Sequence, residues 1–162
     1  MLDLFTLRKL VPLVLCTACV AALNIQATLA PREQIRLDFK DGTGHFVTMV
    51  RREGQAAGTG LLDGAQIVEY GRHDIMPGVS GDPSGYLVAT KGENNIAYIK
   101  WTVRAIFLPG KDGKPELKDN GFWEVVSGTG SFKGLKGAGT LHIKAASPTD
   151  RIFILDGDTV LQ

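Results

Sequence analysis

Apolar and polar residues alternate along much of the chain, and glycine and proline separate the alternating stretches. The clearest case is residues 96–108, where one set of alternate positions is mostly apolar: Ala97, Ile99, Trp101, Val103, Ala105 and Phe107. The other set is more polar: Tyr98, Lys100, Thr102 and Arg104. A period of two gives a strand one face toward a core and one face away from it. No long stretch after residue 30 has the spacing of an amphipathic helix, so the pattern predicts a mostly β protein.

The same pattern predicts nine short strands, with those at the start shorter or merged. They cover residues 34–39, 45–51, 58–62, 65–72, 86–91, 96–108, 122–127, 140–145 and 151–156. Asp-Gly and other glycine pairs between them supply the positive φ angles of hairpin turns, and two longer loops are predicted at 73–85 and 109–120. The spacing is typical of a closed barrel or a sandwich. We favour a single closed antiparallel β-barrel of about eight strands, because closure removes exposed strand edges.

The first thirty residues have the pattern of an export signal. Arg8 and Lys9 precede an uncharged apolar run at 10–23, which is shorter than the ~20 residues that a membrane-spanning helix needs. We predict a signal peptide at 1–30, cleavage between Ala27 and Pro31, and one barrel domain at 31–162 that is secreted or periplasmic. The alternatives are an uncleaved anchor, or lipid attachment at Cys19.

Charge and cysteine content exclude several classes of function. The chain has 18 Lys and Arg and 17 Asp and Glu, and removal of Asp3, Arg8 and Lys9 with the predicted signal leaves 16 of each sign. A neutral domain lacks the basic surface that nucleic acids or anionic membranes attract. Both cysteines, Cys16 and Cys19, fall in the predicted signal, so the domain has no disulfide or thiolate. The three histidines lack paired spacing, and we predict no metal and no cofactor.

Residues 128–139 form the most distinctive motif, with five glycines in twelve residues. They are Gly128, Gly130, Gly134, Gly137 and Gly139. The spacing differs from that of a nucleotide-binding loop, and the chain continues as a strand rather than a helix. We interpret the motif as architectural: glycines allow sharp turns at a barrel rim, and Phe132 plugs the core between them.

The run Gly128-Thr129-Gly130-Ser131-Phe132-Lys133-Gly134-Leu135-Lys136-Gly137 resembles the glycine signature of the allene oxide cyclase and dirigent barrel superfamily. The resemblance covers about twenty residues. It implies an eight-stranded antiparallel barrel, often trimeric, with a cavity for hydrophobic small molecules. The function expected from it is binding of a small, largely apolar molecule in or at the mouth of the barrel. The alternatives are an isomerase or cyclase that confines its substrate in the barrel, and a structural or interaction protein with a filled barrel.

The densest polar cluster lies where a predicted strand enters the longest loop. Its catalytic candidates are Glu69, His73 and Asp74, because imidazole titrates near neutral pH and a carboxylate can orient it for proton transfer. Neighbouring residues on a strand point apart, so the pair of His73 and Asp74 requires loop geometry. Tyr70 and Arg72 are candidates for ligand binding. The alternative for the whole cluster is a solvated loop with salt bridges.

Tyr98 and Arg104 are two further ligand-binding candidates, from the polar side of the 96–108 strand. That side faces a ligand only if the lumen is wet, and we favour solvent. The chain has no nucleophile elbow of the serine hydrolases.

Overall fold

The computed structural model describes residues 19–162, which form one closed sheet. Its strands are β1 (Val20–Asp38), β2 (Phe46–Thr59), β3 (Gln66–Met76), β4 (Ser80–Gly81), β5 (Ser84–Thr90), β6 (Ile96–Pro109), β7 (Pro115–Gly128), β8 (Leu135–Ala145) and β9 (Arg151–Leu161). Each of the eight long strands pairs with its neighbours, and β9 pairs with β1, all antiparallel. The two-residue strand β4 lies between β3 and β6. The prediction of an all-β, closed, eight-stranded antiparallel barrel is confirmed.

Several strands are longer than the sequence pattern predicts. The predicted strand at 45–51 is the beginning of a longer strand, β2, which ends at Thr59, and residues 60–62 of the predicted strand at 58–62 lie in the turn that follows. Most of the predicted loop at 109–120 belongs to β6 and β7. The first half of β7 is largely exposed and polar, so it lacks apolar alternation. Its backbone nevertheless pairs with β6 as far as Pro109 and Pro115, where a turn with Gly113 at φ 76° joins the strands.

The barrel begins at Val20 and not at Pro31, the predicted start of the domain. Residues 20–29 of β1 pair with β9. Four inward side chains from this stretch are buried in the core: Leu23, Ile25, Ala27 and Leu29. A signal peptide and a buried strand can both be uncharged and apolar. From Ala22 to Leu29, buried residues alternate with exposed ones, as in a strand with one face in the core. Residues 1–18 lie outside the described part, so export stays a prediction. Within residues 19–162, no helix is long and apolar enough to span a bilayer.

One end of the barrel is closed by the glycine motif. A single 3-10 turn, Gly130–Phe132, follows β7 and places the Phe132 side chain in the core at 4% exposure. Gly130 and Gly134, at φ 57° and 82°, occupy the left-handed region that favours glycine. Elsewhere in the core, Trp101 packs edge-on against Phe153 with 5.6 Å between ring centroids. The architectural interpretation of the motif therefore agrees with the structure.

Candidate functional site

The opposite end of the barrel holds a cavity of about 350 Å³. Its wall comes from the second half of β1, the beginning of β2, the end of β3, the first half of β7 and the adjoining ends of β8 and β9. The apolar part of the lining includes Phe46, Ile75, Leu117 and Ile143. The charged or titratable part consists of Arg36, Arg52, His73, Asp119 and Arg151. We call this space the mouth cavity.

A fully buried carboxylate lies beneath the mouth cavity. Glu69 is 0% exposed, and the register of β2 and β3 places Arg52 directly opposite it. Arg52 Nη1 donates to Glu69 Oε2 at 2.8 Å. His73 Nε2 lies 2.8 Å from Glu69 Oε1 and 3.1 Å from Arg52 Nη1. A buried charge is tolerated only when it is paired and hydrogen-bonded. The three side chains therefore form one unit, in which Glu69 holds both Arg52 and His73.

Asp119 and Arg151 approach this unit from β7 and β9. Burial raises the pKa of Asp119 to about 6, and the interactions with His73 and Arg151 lower this pKa by a smaller amount. Burial and the charge of Arg52 lower the pKa of Arg151. Arg151 donates to the carbonyl oxygens of Ser147 and Asp150 at 3.2 and 2.8 Å. Two guanidinium groups thus converge on a single cavity.

Some buried polar atoms near this end have no partner among residues 19–162. They are Arg52 Nε, Trp101 Nε1 and Asp119 Oδ1. Most buried polar atoms in proteins are hydrogen-bonded, so each unpaired one requires an explanation, such as an ordered water or a functional role. Arg52 and Asp119 also line the mouth cavity, although these two atoms are themselves buried.

A side groove of about 260 Å³ adjoins the mouth cavity at Asp119. Strands β7 and β8 pair only from Gly121 to Glu124 on the β7 side. Beyond this ladder, His142 Nδ1 donates to the carbonyl oxygen of Asp119 at 3.2 Å. A side chain thus bridges the two strands where the backbone ladder has ended, and Asp119 lies between the cavity and the groove.

Among the predicted catalytic residues, the structure brings Glu69 and His73 together but not Asp74. Asp74 Oδ1 lies 2.6 Å from His45 Nε2, and its other oxygen lies 3.5 Å from Arg72. His73 and Asp74 are consecutive in β3, so their side chains point to opposite faces. The carboxylate that orients His73 is therefore Glu69, four residues away rather than adjacent.

The predicted ligand-binding residues lie outside the mouth cavity. Tyr70 and Arg72 border a shallow hollow of about 410 Å³ on the outer face of the barrel. Tyr98 alternates with buried residues of β6 and points outward. Arg104 is exposed on the same face and contacts both carboxylate oxygens of Asp82 at 2.6 and 2.7 Å. The preference for a solvent-facing stripe on this strand agrees with the structure.

Four charged residues of the cavity wall were not candidates in the sequence: Arg36, Arg52, Asp119 and Arg151. Arg52 follows the predicted 45–51 strand, and Asp119 lies in the predicted loop at 109–120. Arg151 had a usable signal, because it alternates with Phe153 and Leu155 and therefore shares their inward face. Arg52 required the register of the β2–β3 hairpin, which short separate strands do not provide.

A surface hollow of about 540 Å³ has fewer buried polar groups than the mouth cavity. It lies on the outer face of β6, β7 and β8 beside the exposed ring of Phe122. Its charged side chains, Lys100 and Glu124, are both exposed, whereas Glu69 beneath the mouth cavity is fully buried. Within the described chain, no group of three or more His, Cys, Asp or Glu side chains is arranged to hold a metal ion. The mouth cavity is therefore the candidate site.

Comparisons of the chain with protein-family models, with curated protein sequences and with solved structures found no significant match.

Proposed function

We propose that the protein binds a small amphipathic acid in the mouth cavity. The observation that carries this proposal is the convergence of Arg52 and Arg151 on one partly buried space. Like charges brought together in a low-dielectric site repel each other, and an anion between them lowers that cost. A carboxylate is the natural partner of guanidinium groups, which donate in a planar fork.

The apolar part of the lining supports an amphipathic ligand rather than a free inorganic ion. Phe46, Ile75, Leu117 and Ile143 offer hydrocarbon surface in the same space as the arginines. A volume of about 350 Å³ suits a small organic molecule, since ligand pockets start at about 300 Å³. The expected ligand thus differs from the largely apolar molecule that the glycine-motif resemblance implies: its head group is an anion.

Octanoate and 1-octanol make a matched pair of probes for this proposal, because they share a chain and differ in the charged head. A ligand that binds only the folded state raises its stability in proportion to the logarithm of its concentration above Kd. We expect octanoate to raise Tm in a concentration-dependent way and 1-octanol to have much less effect. The variant Arg151→Gln should lose the octanoate response, whereas Arg104→Gln, on the outer face, should keep it. Equal responses to both probes would contradict an anion site.

Export and oligomer formation are separate proposals. An exported form that keeps this barrel must be cleaved before Val20, because β1 is a full member of the barrel. Intact-mass analysis of the protein from its host would give the first residue directly. A homotrimer is implied by the glycine-motif resemblance, and light scattering of the purified protein tests it.

A further inference from the structure

The imidazole of His73 is held at one ring nitrogen and free at the other. Nε2 lies 2.8 Å from Glu69 Oε1 and 3.1 Å from Arg52 Nη1. An ionised carboxylate only accepts hydrogen bonds and a guanidinium only donates them, so the two contacts require opposite states of Nε2. We assign the hydrogen to Nε2 because the contact with Glu69 is the shorter one, and the approach of Arg52 is then not a hydrogen bond. In the neutral ring, Nδ1 is then the basic nitrogen. Among residues 19–162, Nδ1 makes no hydrogen bond, because the contacts of the ring with Glu69 and Arg52 both involve Nε2.

We propose that His73 is a general base acting on a substrate in the mouth cavity, with Glu69 as its positioning residue and Asp119 as a second proton-transfer group. The arrangement of Glu69 and His73 is that of an acid–base pair whose carboxylate fixes the tautomer and stabilises the imidazolium that forms. The proposal rests on the proposed function in that the cavity must admit a small organic molecule.

Charged side chains from five strands surround His73 and the mouth cavity. The groups are Arg36 of β1, Arg52 of β2, Glu69 of β3, Asp119 of β7 and Arg151 of β9. The carboxylate of Glu69 favours the protonated ring, and the guanidinium groups of Arg52 and Arg151 favour an oxyanion on the substrate. Both charges that a proton abstraction creates therefore meet an opposite charge already in place.

The chemistry that fits these groups is double-bond isomerisation of a β,γ-unsaturated carbonyl compound, in which the C–H bond between the carbonyl group and the double bond is acidic. His73 Nδ1 takes the proton, the C–H electron pair delocalises onto the carbonyl oxygen, and that oxygen faces the arginines. Asp119 donates a hydrogen bond to the oxygen when protonated. The proton on His73 is then returned to another carbon of the conjugated system, so the substrate changes neither its atoms nor its oxidation state. No Ser or Cys side chain is among the lining residues in the described chain, which favours proton transfer over a covalent intermediate.

The tautomer of His73 is the first test, and it requires no substrate. Long-range 1H–15N correlation spectra of the wild-type protein at about pH 8 distinguish the two neutral tautomers from the imidazolium. We expect a hydrogen on Nε2 and none on Nδ1. A hydrogen on Nδ1, or an imidazolium that persists at this pH, would overturn the proposal, because neither form has a free basic nitrogen facing the cavity.

The second test uses 5-nitrobenzisoxazole, a general probe for a base in a small cavity. Removal of its C–H proton breaks the N–O bond and releases a coloured phenolate, so no other reagent is needed. We expect turnover above the buffer rate and a loss of roughly 10²-fold in kcat/KM for His73→Gln. His45→Gln is the matched control, since His45 also contacts a carboxylate but lies outside the mouth cavity. Turnover that survives in His73→Gln, or no turnover by the wild type, would overturn the proposal.

Glu69→Gln tests the positioning role, with the pH–rate profile as its readout. Loss of the carboxylate should lower kcat more than it raises KM and should move the profile, whereas a purely structural loss would scale the rate at all pH values alike. An unmoved profile would contradict the role of Glu69. Octanoate binding separates the two proposals: if octanoate binds and the base test fails, only the proton-transfer proposal is lost. If the base is active but octanoate and 1-octanol behave alike, only the anion site is lost.

Discussion

Gly71 provides the space in which the side chain of Glu69 reaches His73. Strand residues rise about 3.3 Å each, so the Cα atoms of Glu69 and His73 are roughly 13 Å apart along β3. The two side chains meet only by lying along the strand, above the residue between them. A Cβ atom on Gly71 would come within 2.9 Å of His73 Nε2 and closer still to Glu69 Oε1.

We expect Gly71→Ala to separate Glu69 from His73 and to destabilise the protein, because the added methyl group would occupy the position of the buried carboxylate. The loss should be in the range of 1–3 kcal/mol typical of an overpacked core. Urea unfolding measures it, and the nitrobenzisoxazole assay should show reduced turnover. Gly42→Ala is the control, since Gly42 has φ 81° but its Cβ would meet no atom within 4 Å. Its cost should be backbone strain alone, with turnover unchanged.

The buried pair of Arg52 and Glu69 predicts a strong dependence of stability on each partner. Arg52→Met should lower the free energy of unfolding by about 3–5 kcal/mol, because it leaves Glu69 charged, buried and without its cation. The double variant Arg52→Met/Glu69→Gln should recover part of that loss, since it removes both charges. Urea unfolding of the full double-mutant cycle measures the coupling. Arg104→Met, in an exposed pair with Asp82, should cost no more than about 1 kcal/mol. Additive losses in the cycle would contradict a coupled buried pair.

Asp119 predicts a pH dependence with a definite sign. Its folded-state pKa of about 6 lies above the ordinary value of 3.8 because burial disfavours the charged form. The folded protein therefore binds this proton more tightly than the unfolded chain does. The stabilisation is fully present below about pH 4 and is lost as the pH rises through about 6.

Asp119→Asn removes this titration while keeping the size of the side chain. The stability of the variant relative to the wild type should therefore increase from about pH 4 to about pH 7. Urea midpoints of both proteins across this range measure the difference, and other titrating groups affect both proteins alike. A difference that stays constant with pH would contradict the buried position of the carboxylate.

The plug at the closed end predicts a contrast between two phenylalanines. Phe132→Ala should cost about 3–5 kcal/mol, because Phe132 is 4% exposed and its loss leaves a cavity in the core. Phe122→Ala should cost within about 0.5 kcal/mol, because that ring is 68% exposed. Urea unfolding of both variants gives the comparison. Similar costs would mean that the glycine motif does not close the barrel through Phe132.

The barrel was predictable from the sequence because it depends on local alternation, and the site was only half predictable because it depends on register. The alternation in β6 identifies its buried face down to Ala97, Ile99 and Trp101. Glu69 and His73 stood out as members of a polar cluster where a predicted strand enters a predicted loop. Arg52 becomes their partner only through the β2–β3 register, and Asp119 joins them only because an exposed, polar half-strand continues β7. Neither the register of a strand pair nor a polar half-strand can be recognised from alternating apolar residues.

The first half of β1 is needed for the barrel to fold. A chain that starts at Pro31 lacks residues 20–30 of β1 and with them the entire pairing between β1 and β9, which closes the barrel. It also lacks four buried core side chains, Leu23, Ile25, Ala27 and Leu29. Each buried Leu or Ile contributes about 1.5–3 kcal/mol, and the free energy of unfolding of a whole domain is only about 5–15 kcal/mol.

We therefore expect the chain 31–162 to remain unfolded or to aggregate, and the chain 20–162 to fold. Far-UV circular dichroism and urea unfolding distinguish the two outcomes. A third chain, 20–162 with Leu23→Asp and Ile25→Asp, has the full length but places charges in the core, and it should behave like the shorter chain. If 31–162 gave the same β spectrum and unfolding midpoint as 20–162, the first half of β1 would be dispensable. A cut between Ala27 and Pro31 would then be compatible with a folded barrel.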